Sequence, residues 1–118
     1  MTTAELGHKG EAAAAQYYLQ RGCTLLAHNY RTRLGELDLV LDDHGMIVIC
    51  EVKTRSPGGW GTPGQAVDAR KQRRLTAAAA RYLQETGRSD CTVRFDVVEV
   101  QPQNGSWQIH CIRAAFGS

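Results

Sequence analysis

Two rhythms of apolar and polar residues run along the chain. From Thr3 to about Arg21, the residues Leu6, Gly10, Ala13, Ala14 and Tyr17 recur at helical spacing, with Thr3 as the expected N-cap and Gly22 as the stop. Gly7 and Gly10 sit inside that helix, where each glycine costs roughly 1 kcal/mol against alanine. A close approach to another backbone or to a ligand is the expected reason. Cys23–Tyr30, Glu36–Leu41 and Met46–Thr54 then read as strands, with Thr32–Gly35 a polar link. Helical spacing returns over Ala66–Thr86, with Leu75, Ala78, Ala79, Tyr82 and Leu83 inward, Asp68 placed to cap it and Gly87 to end it. Cys91–Gln101 and Trp107–Arg113 are the last two strands, joined through the hairpin signal Asn104-Gly105.

Met46–Thr54 is almost continuously apolar up to Glu51, the mark of a central strand buried on both faces. The order is α-β-β-β-α-β with one extra C-terminal strand. The strands before and after the second helix should be parallel, joined by a right-handed crossover. The pattern predicts an α/β fold over residues 1–118 as one domain: a mixed sheet flanked by helices.

Charges break the pattern in one place. Asp42-Asp43-His44-Gly45 is a turn signal between the apolar runs Leu37–Leu41 and Met46–Cys50. With His44 and Gly45 at the centre of a tight turn, Asp38 faces Glu51, Glu36 faces Lys53 and Val40 faces Ile49. Opposed residues share a face of the sheet. A four-residue loop gives the same register, whereas a three-residue loop shifts it by one and separates Asp38 from Glu51. The first register gathers Leu37, Leu39, Leu41, Val48, Cys50 and Val52 into a wholly apolar second face, and is preferred for that reason. Two opposed carboxylates repel, and burying either alone is costly. A hard divalent cation is the natural compensation; oxygen ligands suit Mg²⁺ or Mn²⁺ rather than zinc or copper. Lys53, two residues beyond Glu51, emerges on the same face. Carboxylates, a metal and an ammonium together suit phosphodiester hydrolysis. The spacing is short, and an ordinary exposed sheet end, with Asp38 or Glu51 paired to Lys53, accounts for it equally.

Composition narrows the setting. With 118 residues, 42% hydrophobic and 22% charged, the chain is the size of one soluble globular domain with a real core. No apolar run is long enough to span a membrane, and Glu5 stands early in an N-terminus without a secretory pattern. A cytoplasmic location without a membrane partner is expected. Cys23, Cys50, Cys91 and Cys111 are widely spaced with no C-x-x-C, which argues against structural zinc. All four are expected reduced and mostly buried, the last three in strands. The formal charge of +2 does not demand nucleic acid. Its distribution matters more: Arg31 and Arg33 precede the hairpin, Lys53 and Arg55 close it, and Arg70, Lys71, Arg73 and Arg74 cluster on the second helix. They either hold phosphates around the acidic site or form a solvated face. Lys71, four residues before the inward Leu75, lies on the edge of the inward face. Glu11 is either a surface carboxylate or leans over the sheet into the acidic cluster. Arg55–Gly64 is a Gly-rich loop whose Trp60 either stacks on a base or sugar or packs on the core.

The order of elements with Glu11, Asp38 and Glu51-Val52-Lys53 is similar to the PD-(D/E)xK nuclease core, a restriction-endonuclease-like α-β-β-β-α-β fold. More closely, the chain resembles the YraN-like uncharacterised protein family, predicted endonucleases related to archaeal Holliday junction resolvases. The stretches that carry the likeness are Gly7-x-x-Gly10-Glu11, Asn29-Tyr30-Arg31, Gly35-Glu36-Leu37-Asp38-Leu39-Val40, Glu51-Val52-Lys53-x-Arg55, Ala66-Val67 with Lys71, and Arg94-Phe95-Asp96-Val97-Val98. They span nearly all of the chain in the family's order. Asp38 is preceded by Leu37 rather than by the proline that names the motif. The resemblance implies Asp38 and Glu51 as metal ligands for Mg²⁺ or Mn²⁺, the Val52 carbonyl as a third, and Lys53 as the catalytic lysine. It implies Glu11 as an accessory acid, with Lys71 and Arg55 as phosphate-facing candidates. Arg31 and Trp60 complete the expected substrate-binding set.

The function expected from these residues is metal-dependent endonucleolytic cleavage of DNA, branched or damaged. Two alternatives stand beside it. One is a catalytically inactive nucleic-acid-binding module. The other is a protein-interaction module that presents Trp60, Trp107 and an edge strand. A homodimer is expected, because a symmetric pair of sites matches a two-fold branched substrate.

Overall fold

The computed structural model describes residues 2–55 and 67–117. Helix α1 (Thr3–Leu19) opens the chain, followed by β1 (Thr24–Arg31), β2 (Glu36–Asp43) and β3 (Met46–Thr54). Helix α2 (Ala69–Glu85) leads to β4 (Val93–Gln103) and β5 (Ser106–Phe116). The five strands form one mixed sheet in the order β1-β2-β3-β4-β5. All neighbours are antiparallel except β3 and β4, which are parallel across the α2 crossover. The fold is the α/β arrangement expected, with the extra C-terminal strand at one edge. Trp60, most of the Gly-rich stretch and the expected helix start at Ala66 lie outside the described residues.

The helices cap as acidic and hydroxyl side chains allow. The N-cap of α1 is Thr2, not Thr3: its Oγ1 accepts the Glu5 amide at 3.1 Å. Asp68 caps α2 by accepting the Lys71 amide at 2.9 Å. Side chains of β3 alternate between two cores. Ile47 and Ile49 join Val40, Val97 and the inward face of α2, which is Leu75, Ala78, Ala79, Tyr82 and Leu83. Val48, Cys50 and Val52 join Leu39, Leu41, Val98, Val100 and, from α1, Ala14 and Tyr18. The helices therefore cover opposite faces, and β3 is buried on both. Asp96, fully buried, ties α1 to β4 and β5. Its carboxylate accepts from the Tyr18 hydroxyl at 2.8 Å, from Arg94 at 2.9 and 3.0 Å, and from the Ala114 amide at 3.0 Å.

The hairpin has the expected register, with Val40 opposite Ile49 and Asp43 opposite Met46. His44 and Gly45 occupy its centre at φ 52° and 97°, the positive values a type I′ turn requires. One part of the expected apolar face differs. Leu39 and Leu41 lie on the α1 side, but Leu37 belongs to the α2 core. Residues two apart on a regular strand share a face, so β2 turns over at Asp38. Across from it, Asn29 has φ 49°, and the β1–β2 ladder steps from His28↔Leu39 to Tyr30↔Leu37.

Gly10 lies where α1 meets the sheet. A Cβ there would stand 2.1 Å from Thr54 Oγ1 and 2.9 Å from Val100 Cγ2. Close approach thus explains Gly10; it does not explain Gly7, which has nothing within 4 Å. The four cysteines are free, Cys23 and Cys50 buried and the other two half-buried; Cys91 precedes β4 rather than lying in it. Among the described residues, no helix is long and apolar enough to cross a membrane.

Candidate active site

The site forms where β2 leaves β3. Their ladder ends at Leu39↔Cys50, while β3 stays paired with β4 as far as Thr54↔Val100. The strands part at the residues that carry the charges. Asp38 fills the gap: its Oδ2 accepts the Val52 amide at 2.9 Å, replacing a ladder carbonyl. This fixes the Asp38 carboxylate beside Glu51, close enough for its charge to be felt there. Of the three metal ligands that the resemblance implies, Val52 thus contributes its amide as a brace for another.

Glu51 is a carboxylate buried beside another carboxylate. The residue is 5% exposed, and Oε2 has no hydrogen-bond partner. Lys71 Nζ stands 3.5 Å from that oxygen, an ion-pair distance without hydrogen-bond geometry. Burial, then the charge of Asp38 and a carboxyl–carboxyl hydrogen bond with it, push the Glu51 carboxyl up to about 7; Lys71 and Lys53 oppose the shift. Glu11 reaches the same cluster from α1. Burial raises its pKa above the usual carboxylate value, against the Asn29 hydrogen bond, with Asp38 adding to the rise. Asn29 Nδ2 bridges Glu11 at 3.2 Å and Glu36 at 3.4 Å. The left-handed backbone at Asn29 aims that amide, and asparagine tolerates such a conformation better than most residues.

Lys53 emerges from β3 on the Glu51 side, and its charge is felt there. Its register partner is Glu99 of β4, so both side chains leave the same face. Glu99 is 1% exposed and its Oε1 has no hydrogen-bond partner. Its Oε2 takes Arg55 Nε at 3.1 Å. Arg55, expected to face phosphate, is therefore engaged by a buried carboxylate. Arg31 is mostly exposed and 3.6 Å from Glu36. Trp60 lies outside the described residues. The structure thus brings together Glu11, Asp38, Glu51, Lys53 and Lys71. No site role was expected for Glu99 or Asn29: the first reads as one polar letter in Val97-Val98-Glu99-Val100, the second as a residue near the end of the first strand. A charge inside a run buried on both faces was the available signal for Glu99.

The donors suit a hard divalent ion. Asp38 and Glu51 offer adjacent carboxylates, one with a buried oxygen lacking a hydrogen bond. Lys71 offsets part of the charge of this pair, and two buried carboxylates side by side call for further neutralisation. Among the described residues, no three His, Cys, Asp or Glu side chains form a metal-binding group. Mg²⁺ commonly takes one or two carboxylates and leaves the rest of its octahedron to phosphate and water.

Comparison with known proteins gives the lineage. Residues 10–100 match the family described as "Uncharacterised protein family UPF0102". The chain is 46% identical over 112 residues to a UPF0102 protein of Symbiobacterium thermophilum, covering 94% of this chain and 95% of that one. It is 42% identical over 112 residues to a UPF0102 protein of Rhodococcus opacus, covering 94% and 95%. A UPF0102 protein of Desulfosudis oleivorans is 38% identical over 112 residues, covering 95% of this chain and 89% of that one. With the match running through both helices and four of the five strands, the chain belongs to the UPF0102 family.

Proposed function

We infer that this protein is a divalent-metal-dependent DNA endonuclease. One observation carries the reading. Glu51 buries an oxygen without a hydrogen bond beside Asp38, at the point where two strands part, with Lys53 on the same face. A stable sheet gains nothing from that arrangement, whereas a metal-assisted hydrolase needs it. Asp38 and Glu51 would hold Mg²⁺ or Mn²⁺. The chemistry such an ion supplies when bound is polarisation of a phosphoryl oxygen and activation of water.

The chain's own groups do the remaining work. The Val52 amide keeps Asp38 from rotating away. Lys53 places an ammonium where it offsets charge developing on a phosphorane or orients the attacking water. Lys71, 3.5 Å from Glu51, balances the carboxylates when no ion is present. Glu11, held by Asn29, adds a third acid at the rim. Arginines outside the site supply phosphate contacts, and a two-fold branched DNA would engage two copies of the chain.

The test is direct. Nicked, flap, four-way and linear DNA are incubated with purified protein in Mg²⁺ or Mn²⁺. Cutting should be present, abolished by EDTA, and lost in Lys53→Ala and Asp38→Ala. Metal-independent DNA binding without any cutting would assign the chain to a non-catalytic binding module instead.

A further inference from the structure

We propose that the Arg33–Leu34 tip of the β1–β2 connection is a wedge that directs this protein to nicked or branched DNA; the wedge builds on the nuclease reading above. Leu34 is 52% exposed. A lone exposed leucine is ordinary. This one stands on a hydrogen-bonded turn. Thr32 donates its amide to the Gly35 carbonyl at 2.8 Å, and its Oγ1 accepts the Leu34 and Gly35 amides at 2.9 and 3.0 Å. The turn is also seated on α2: a Cβ on Gly35 would stand 3.1 Å from the Arg74 carbonyl oxygen. These contacts fix the backbone of the tip and keep Leu34 at its apex.

The surroundings name the partner. Arg31, Arg33 and Leu34 line a surface basin of about 440 Å³ with Tyr30, Thr32, Arg81 and one acidic residue, Glu85. Arg31 and Arg81 have acidic partners in Glu36 and Glu85, while Arg33 and Arg74 form no ion pair among the described residues. A leucine ringed by arginines fits a partner that is anionic outside and apolar within. A nucleic-acid duplex is built that way, phosphates around a base stack, and apolar side chains inserted between steps partly unstack it. An intact duplex resists such insertion. A nick or a branch has already opened a step, so the wedge selects those structures.

The fold also sets where the cut falls. Leu34 and Asp38 are four residues apart, at most about 13 Å at strand rise. That is about four base steps, so cleavage should lie within about four base pairs of the opened step.

The experiment uses the full chain with Lys53→Ala, a labelled nicked duplex and a continuous duplex of the same sequence. Fluorescence anisotropy reads affinity. A base analogue beside the nick, brighter when unstacked, reads insertion. The nicked duplex should bind about tenfold tighter and brighten. Adding Leu34→Ala should remove both effects and leave affinity for the continuous duplex unchanged, while Leu34→Met keeps them. Arg33→Ala and Arg74→Ala should weaken both DNAs alike and each lower the salt slope by about one. A Leu34→Ala protein that keeps the preference and the brightening overturns the wedge. With Lys53 intact, cutting that ignores the nick and survives Leu34→Ala overturns the wedge but leaves the nuclease reading. Brightening that depends on Leu34 without any cutting overturns the nuclease reading and keeps the wedge.

Discussion

Replacing Glu51 by glutamine should stabilise the metal-free protein at neutral pH, although it removes a charged residue from a lysine's reach. Burial and Asp38 raise the Glu51 carboxyl from 4.5 to about 7. The folded state thus holds this proton more tightly than the unfolded chain does. Wild-type stability falls as pH rises from about 4.5 to about 7, and stays low above that. At 1.36 kcal/mol per pKa unit, the cost at pH 8 is roughly 3 kcal/mol. The side chain is nearly fully buried, so little of it is lost to solvent screening. Glutamine keeps the shape and carries no charge. Urea unfolding in EDTA at pH 4.5, 6 and 8 measures both proteins. They should agree near pH 4.5, with the variant ahead by roughly 3 kcal/mol at pH 8. Saturating Mn²⁺ should then reverse the order, since only the wild type gains binding free energy. Parallel pH profiles, or a variant less stable at pH 8 without metal, would refute the electrostatic account of the site.

Other consequences are simpler to read. Gly10→Ala should destabilise by roughly 1–3 kcal/mol, because its Cβ would meet Thr54 Oγ1 at 2.1 Å, while Gly7→Ala should stabilise by about 0.5–1 kcal/mol; urea midpoints check both. Arg55→Ala should cost roughly 2–3 kcal/mol, discounted for the partial exposure of Arg55, since Glu99 would be left buried without its partner. Glu99→Gln in the same background should recover most of that, which thermal unfolding would report. Tyr18→Phe should cost roughly 1–2 kcal/mol through the lost hydrogen bond to Asp96, seen as a lower unfolding midpoint with DNA binding unchanged.

The hairpin was legible because two independent signals agreed. The turn residues His44-Gly45 set the register, and the apolar positions confirmed which side each strand buries. The central place of β3 followed from its unbroken apolar run, and the parallel β3–β4 pair from the helix between them. Local signals failed where tertiary contacts decided. Thr2 and Thr3 are equal candidates as caps, and only the geometry of the first turn chooses Thr2. Leu37 was assigned to the wrong face because the reversal at Asp38 depends on the left-handed Asn29 in another strand. The Arg55–Glu99 pair is invisible in the sequence because Glu99 lies far along the chain, inside a run that reads as core. Lys71 could be placed only at the edge of a helical face; its distance from Glu51 comes from how α2 sits on the sheet.

Anomalous diffraction from a crystal soaked in Mn²⁺ tests the Asp38–Glu51 pair most directly. One strong peak should lie between the two carboxylates, within coordination distance of an oxygen of each, with Lys71 withdrawn from Glu51. No peak there at millimolar Mn²⁺, or a peak only elsewhere on the protein, would contradict the assignment of this site as a metal centre.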